Sequence, residues 1–339
     1  MTDVHSFEHA PAEARSLLKA KIKDLGLHIQ GSMLEKYIAE LYRELSARSL
    51  KRFHPPCYLS DEWACPDRGP IIGIPFYLAD PKLTALEQAV NDVEDEREIM
   101  MYLRHEAGHA FNYAYELYAT REWRELFGPF DRPYLDDYVP VPFSRGFVRH
   151  IAGWYAQKHP DEDFAETFAV WLTPRLDWRR HYEGWGALAK LEYVDRISKA
   201  IGDRDPVRLI GKAELPVEEM EATVEEFYRE HSLDETAAVA DLQLDLDLED
   251  LFEPATAQAS RPAADFLAEN RKQIVDKIAY WTGVRRTLVD RLIESMERRA
   301  REMGVAVERT REQAHLVEVV AYATTLAMNY LTRGRFVEK

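Results

Sequence analysis

Two histidines four residues apart, with a glutamate directly after the first, stand at His105-Glu106-Ala107-Gly108-His109. Residues at i and i+4 share one face of a helix, so both imidazoles can point a nitrogen at the same ion. Glu106, one position on, is placed to hold a water bound to that ion and to take its proton. The flanking residues read as a helix. Acids crowd its start (Asp92, Glu94, Asp95, Glu96), and apolar residues recur at Ile99, Leu103, Ala107, Phe111 and Ala114.

Two histidines leave a zinc site incomplete, since a catalytic site takes three protein ligands and keeps a fourth position open. A third histidine of the metzincin kind would need Gly and His three and six residues after His109, where Asn112 and Tyr115 stand. A carboxylate from a second helix is the alternative. The best run is His159-Pro160-Asp161-Glu162-Asp163-Phe164-Ala165-Glu166, in which Pro160 and the acids after it suit a helix start. Glu162 and Glu166 share a face. One can bind the metal while the other accepts a proton from the far nitrogen of a ligating histidine and so fixes its tautomer. Asp161 and Asp163 compete for these roles on the same short helix, while Phe164, Phe168 and Trp171 would pack inward. His150 and His159 read as solvated or capping residues, and Arg104 and Asn112 flank the motif without an assigned role.

The motif H-E-A-G-H, followed by Tyr155 and by E-D-F-A-E-T-F from Glu162 to Phe168, resembles the gluzincin metallopeptidases of the anthrax lethal factor type. More closely, it resembles a bacterial family of zinc-binding metallopeptidases typed in part by P-x-E-D-x-A-E-T, here Pro160 to Thr167. The resemblance covers about residues 32–203. It implies that Glu162 completes the Zn2+ ligand set with His105 and His109 and that Glu166 holds a ligand from outside. It also implies that Tyr155, seven positions before the ligand, stabilises the oxyanion. The activity implied is hydrolysis of peptide bonds, in a peptide or protein substrate, by a zinc-bound water that Glu106 activates.

The elements that must position these residues suggest an α+β fold: a zincin-like domain with a small mixed sheet, two active-site helices beneath it, and a mostly helical C-terminal region. Glu13–Leu25 reads as a helix. Ser32 and Glu35 make a capping-box signature for a second, with Leu34, Ile38, Leu41 and Leu45 on its apolar face. Cys57–Leu59 and Ile71–Leu78 have strand composition. Pro75, lacking a donor, predicts a sheet edge or a bulge in the second strand, and such an edge could pair with an extended substrate. Phe127–Phe147, rich in proline and aromatics, predicts a packed flap over the cleft. Trp185–Ile201 predicts a helix. The leucines alternating over Asp241–Leu251 predict a strand, and Ala263–Trp281, Val284–Met303 and Thr310–Leu331 predict a small helical bundle. The domain boundaries expected are 1–204 for the peptidase, 205–255 for an acidic extended segment, and 256–339 for the helical part.

The formal charge of −16 is concentrated. Glu214 to Glu253 holds fifteen acids against the single base Arg229, which leaves the remainder near neutral. Nucleic acid is therefore not an expected partner, because phosphate binding needs the opposite sign. The most apolar late stretch, Ala314–Leu331, carries Glu318, Thr324 and Asn329, so a buried helix is expected rather than a membrane span. Two cysteines, Cys57 and Cys65, cannot build a disulfide framework, and the polar start Met1–Pro11 does not resemble a signal peptide. A cytoplasmic location is the expectation. Two other functions use the same residues: a zinc amidohydrolase acting on a non-peptide amide, and a binding protein with a structural zinc site whose acidic arm docks on a basic protein partner. An acidic segment or flap that covers the cleft would add regulation. A purely structural zinc site has no need of Glu106 or of an open fourth position, which favours the enzyme.

Overall fold

Among the described residues, apolar residues at one-turn spacing fold into helices, and two small sheets complete an α+β architecture. The structure, a computed structural model, describes residues 12–90, 93–134, 140–229, 242–254, 260–284, 286–333 and 336. The chain divides between Tyr228 and Arg229 into two compact units. No described helix is long and apolar enough to cross a membrane.

The first unit contains α1 (Ala12–Lys19), α2 (Leu34–Ala47), α3 (Pro81–Val90), α4 (Glu96–Ala114), α5 (Arg121–Phe127), α6 (Pro160–Leu172), α7 (Trp178–His181), α8 (Ala187–Ile201) and α9 (224–229). Strands β1 (Cys57–Ser60) and β2 (Ile72–Pro75) pair in parallel, with Cys57 opposite Ile72. The helix expected over Glu13–Leu25 breaks after Lys19. There Ile22 N–H donates to the Ala222 carbonyl at 3.0 Å, and only a 3-10 turn follows at Ile22–Leu25. Ser32 and Glu35 form no capping box. The Ser32 hydroxyl accepts from Leu34 N–H, and Glu35 reaches back to Gly31 N–H instead.

The second apolar run is a strand only to Pro75, after which Phe76–Ala79 turns as a 3-10 helix. Proline has no N–H to continue the ladder, and Pro75 is the last residue of β2, which is an edge strand of its two-stranded sheet, as expected, and pairs with β1 in unbroken register. The far side of β2 is nevertheless not open at Gly73. Its N–H donates to the Ala64 carbonyl at 2.7 Å, and Ala64 N–H donates back.

The second unit holds α10 (Asp245–Leu251), α11 (Ala263–Thr282), α12 (Arg286–Met303) and α13 (Glu312–Arg333). The alternating leucines fold as the helix α10, not as a strand, and Asp241 lies outside the described residues. Every second pair of a two-residue alternation is four residues apart, one helical turn. Leu244 and Leu248 are therefore buried on one face, while Leu246 between them is 77% exposed. Three short strands also join the bundle, β3 (Glu253–Pro254), β4 (Ser260–Pro262) and β5 (Val305–Glu308), antiparallel in the order β3-β5-β4. Runs of two to four residues are too short to show a period.

What positions the chemistry is the approach of α4 to α6. Helix α4 starts cleanly: the Asp95 side chain accepts from the N–H groups of Arg97 and Glu98, and Glu98 returns a bond to Asp95 N–H at 3.0 Å. Ile99, Leu103, Ala107 and Phe111 are fully buried, and the Phe111 ring lies 5.1 Å from that of Phe168 on α6. Gly108 lets the backbones meet, because a Cβ there would stand 2.7 Å from Ala165 Cα and 2.9 Å from its carbonyl oxygen. Gly108→Ala gains about 1 kcal/mol of helix propensity. It should nonetheless destabilise the first unit by roughly 1–3 kcal/mol, since the two backbones must part. Urea unfolding together with bound-zinc measurement checks this; an unchanged midpoint with full zinc uptake would sink the close-packing argument.

Candidate metal centre

All thirteen residues of α6 are buried, four acids among them, so each carboxylate needs its own partner. Their partners are set by the rotation of the helix. Glu162 faces α4, with its Oε2 at 3.1 Å from His105 Nε2 and 3.2 Å from His109 Nε2. Glu166, one turn on, takes the other side of the first imidazole: His105 Nδ1 to Glu166 Oε1 is 2.9 Å. Its second oxygen accepts from Ile151 N–H at 2.9 Å. Asp161 does the same for the second imidazole, with His109 Nδ1 at 2.7 Å, and it also accepts from Asn112 Nδ2 at 2.7 Å and from the Tyr113 hydroxyl. Asp163 turns the other way and pairs with Lys190 Nζ at 2.6 Å. Burial lifts the Asp163 carboxyl to about 7 even though Lys190 pulls it down.

Among the acids competing on this helix, the structure thus divides the roles. Glu162 alone joins the histidines as a possible ligand among the described residues: His105, His109 and Glu162 each offer one atom, all within 4.8 Å of one another. Asp161, weighed in the sequence only as a competitor, has the same relation to His109 that Glu166 has to His105. Two ligating histidines call for two outer acceptors, a signal present in the sequence.

The donor set suits a cation on chemical grounds. Ionised carboxylates only accept, so Nδ1 of each histidine donates outward and Nε2 turns a lone pair inward. Two lone pairs and a carboxylate oxygen then face one another with edges of 3.1, 3.1 and 3.2 Å. Unscreened, they repel. A tetrahedral ion with ligands at 2.0–2.1 Å requires edges of about 3.3 Å, so the triangle is close to one face of such a site. The titration of the residues points the same way. Burial opposes the imidazolium of His105, yet its bonds to Glu162 and Glu166 outweigh this and raise it to about 9. His109 is raised by Asp161 and Glu162 against the same penalty, while the nearby imidazoles hold Glu162 well below the usual carboxylate range against its own burial. The pocket is built to contain positive charge.

Glu106, on the same turn of α4, is 5% exposed, and burial raises its carboxyl above the ordinary value. Tyr155 stands in the 3-10 turn before α6. Its ring centre is 5.7 Å from that of His105, and its hydroxyl donates to Glu162 Oε1 at 3.4 Å. The remaining candidates are structural. His159 caps α6, its Nδ1 accepting from Asp161 N–H. His150 donates to the Met101 carbonyl at 3.0 Å, and burial lowers its pKa. Arg104 forms a two-armed bond with Glu44 that ties α4 to α2. The expected flap begins on the last residue of α5, Phe127; beyond it the described residues form neither helix nor strand, and positions 135–139 lie outside them. Its described part is pinned to the segment before α6, with Val141 exchanging two bonds with Gln157 and Phe143 meeting Trp154 edge to face at 5.5 Å.

Residues 74–183 match the profile of a family described as "Putative zinc-binding metallo-peptidase". That span contains every residue of the His-His-Glu group and its two outer acids. No curated protein and no solved structure matches the chain. The similarity to a zinc-binding family and the buried His-His-Glu group together identify Zn2+ as the cofactor that fits.

Outer acceptors of ligating histidines are worth 10- to 100-fold in metal affinity. Asp161→Ala is therefore expected to weaken zinc binding by about that factor while the helices stay folded. Competition with a chromogenic chelator reads this directly; wild-type affinity in the variant would remove Asp161 from the site.

Proposed function

We propose that this protein is a zinc-dependent peptidase of the gluzincin type, its first unit a zincin-like domain with His105, His109 and Glu162 as ligands. The observation that carries the reading is the triangle of two Nε2 atoms and one carboxylate oxygen, with Glu106 on the same helical turn. Zinc bound there would polarise a substrate carbonyl and bring the pKa of a bound water toward neutrality.

The remaining work falls to the chain's own groups. Glu106, whose carboxylate burial makes a stronger proton acceptor than an exposed one, takes the proton of the attacking water and returns it to the leaving amine. Glu166 and Asp161 keep the two imidazoles in the tautomer that presents Nε2. Tyr155 offers a hydroxyl to the oxygen on which negative charge builds. Peptides and proteins are the substrate class that the family similarity supports.

Glu106→Gln should retain one zinc per chain and lose 10²- to 10⁴-fold in turnover, the usual worth of a positioned proton acceptor, roughly. Zinc content and cleavage of a quenched peptide library, with small acyl amides in parallel, measure both. Undiminished turnover in this variant would end the assignment of Glu106, and cleavage of the acyl amides alone would favour an amidohydrolase.

A further inference from the structure

In a chain of 60 acids against 44 bases, the stretch from Pro140 to Pro160 holds Arg145, Arg149 and Lys158 and not one acid. That stretch leads into the metal ligands, since it carries Tyr155 and ends where α6 begins. Among the described residues, none of the three cationic heads pairs with a carboxylate or donates a hydrogen bond. Each is held against aromatic rings instead. The Arg149 guanidinium lies 5.3 Å from the ring centre of Phe143 and 5.0 Å from that of Trp185. Arg145 meets the same Trp185 ring at 5.8 Å, and the Lys158 ammonium is 5.3 Å from the ring of Tyr155.

The rings connect these cations to the metal group. Tyr155 is 5.7 Å from His105, its neighbour Trp154 meets Phe143 at 5.5 Å, and Phe143 meets Arg149. The base of the array is anchored, because Arg149 N–H donates to the hydroxyl of the buried Tyr182 at 3.0 Å. Its outer part is open: Phe143 is 62% exposed, and both arginines are exposed. A ring face holds a cation through its quadrupole without neutralising it. A guanidinium held this way keeps its N–H donors in its own plane, where a carboxylate can meet two of them at once. The formal charge of −16 repels acidic chains at long range, so one can be held only where positive charge is locally concentrated. Cations spread over several rings suit carboxylates spaced along an extended peptide better than one compact anion.

We propose that Arg149 and Arg145, with Lys158, form a subsite that selects substrates carrying aspartate or glutamate side chains near the cleaved bond. The inference rests on the peptidase reading and names the substrate class of that same site. The three residues belong to neither signature motif.

Glu106→Gln is used as the parent so that peptides bind without being cleaved. Fluorescence anisotropy compares two labelled peptide libraries, identical except that one has Asp and Glu where the other has Asn and Gln. The acidic library is expected to bind on the order of 10-fold more tightly at low ionic strength, and less so at high. Adding Arg145→Gln and Arg149→Gln should reduce that preference to about 2-fold or less, with zinc content and urea midpoint unchanged. Lys51→Gln with Arg52→Gln removes the same charge from exposed pairs with Asp203 and Asp205 and should leave the preference intact. Equal affinity of the parent for the two libraries overturns the proposal. So does an equal loss in the Lys51/Arg52 variant, because net charge alone would then explain it. Zinc uptake is assayed separately: its absence would remove the peptidase reading, while the library comparison is still made on the chain as purified.

Discussion

Three electron-rich atoms, the Nε2 atoms of His105 and His109 and the Oε2 of Glu162, are held within 3.2 Å of one another on side chains that are almost wholly buried. Only positive charge among them makes that arrangement stable. The rest of the first unit can be understood as the means of imposing it. The imidazoles are turned inward by Glu166 and Asp161, which sit on the helix that supplies Glu162. That helix reaches them because Gly108 has no side chain to keep it away. Each imidazole is thereby oriented by its own acceptor, the kind of preorganisation that the proposed chemistry would draw on.

The energetic cost is the burial of α6 with its four acids. A buried carboxylate without a partner costs several kcal/mol. Each acid here has one: the two imidazoles, the Tyr113 hydroxyl, the Asn112 amide, the Ile151 N–H or the Lys190 ammonium. Phe164, Phe168 and Trp171 on the same helix are almost wholly buried, and each contributes roughly 1.5–3 kcal/mol of hydrophobic stabilisation. Apolar packing and paired charge are thus on one element, and neither is dispensable. Lys190 comes from α8, outside both signature motifs, and serves the helix rather than the ion.

How far each part could be read without coordinates follows from the range of the interaction that forms it. The H-E-x-x-H spacing is a local statement about helical turns, as are the apolar face of α4 and the four-residue pattern Val284, Leu288, Leu292 and Met296, all of which are buried. Leucines at two-residue spacing are compatible with both a strand and a helix, and α10 takes the second form because Leu244 and Leu248 find a hydrophobic core on one side. The division of labour among Asp161, Glu162, Asp163 and Glu166 is not local. Four neighbouring acids differ only in the angle at which each leaves its helix and in what stands opposite.

The sequence by itself determined that two histidines and a glutamate would share a helix, that a second helix rich in acids begins at Pro160, and that negative charge is gathered in a later stretch of the chain. It carried these because they depend on residues within one or two turns. Tertiary structure decided which acid meets the imidazoles, that Asp161 holds His109, and that Gly108 sits against Ala165. These depend on segments tens of residues apart being pressed together, and no spacing rule records the depth of a helix contact or the direction of a side chain across it.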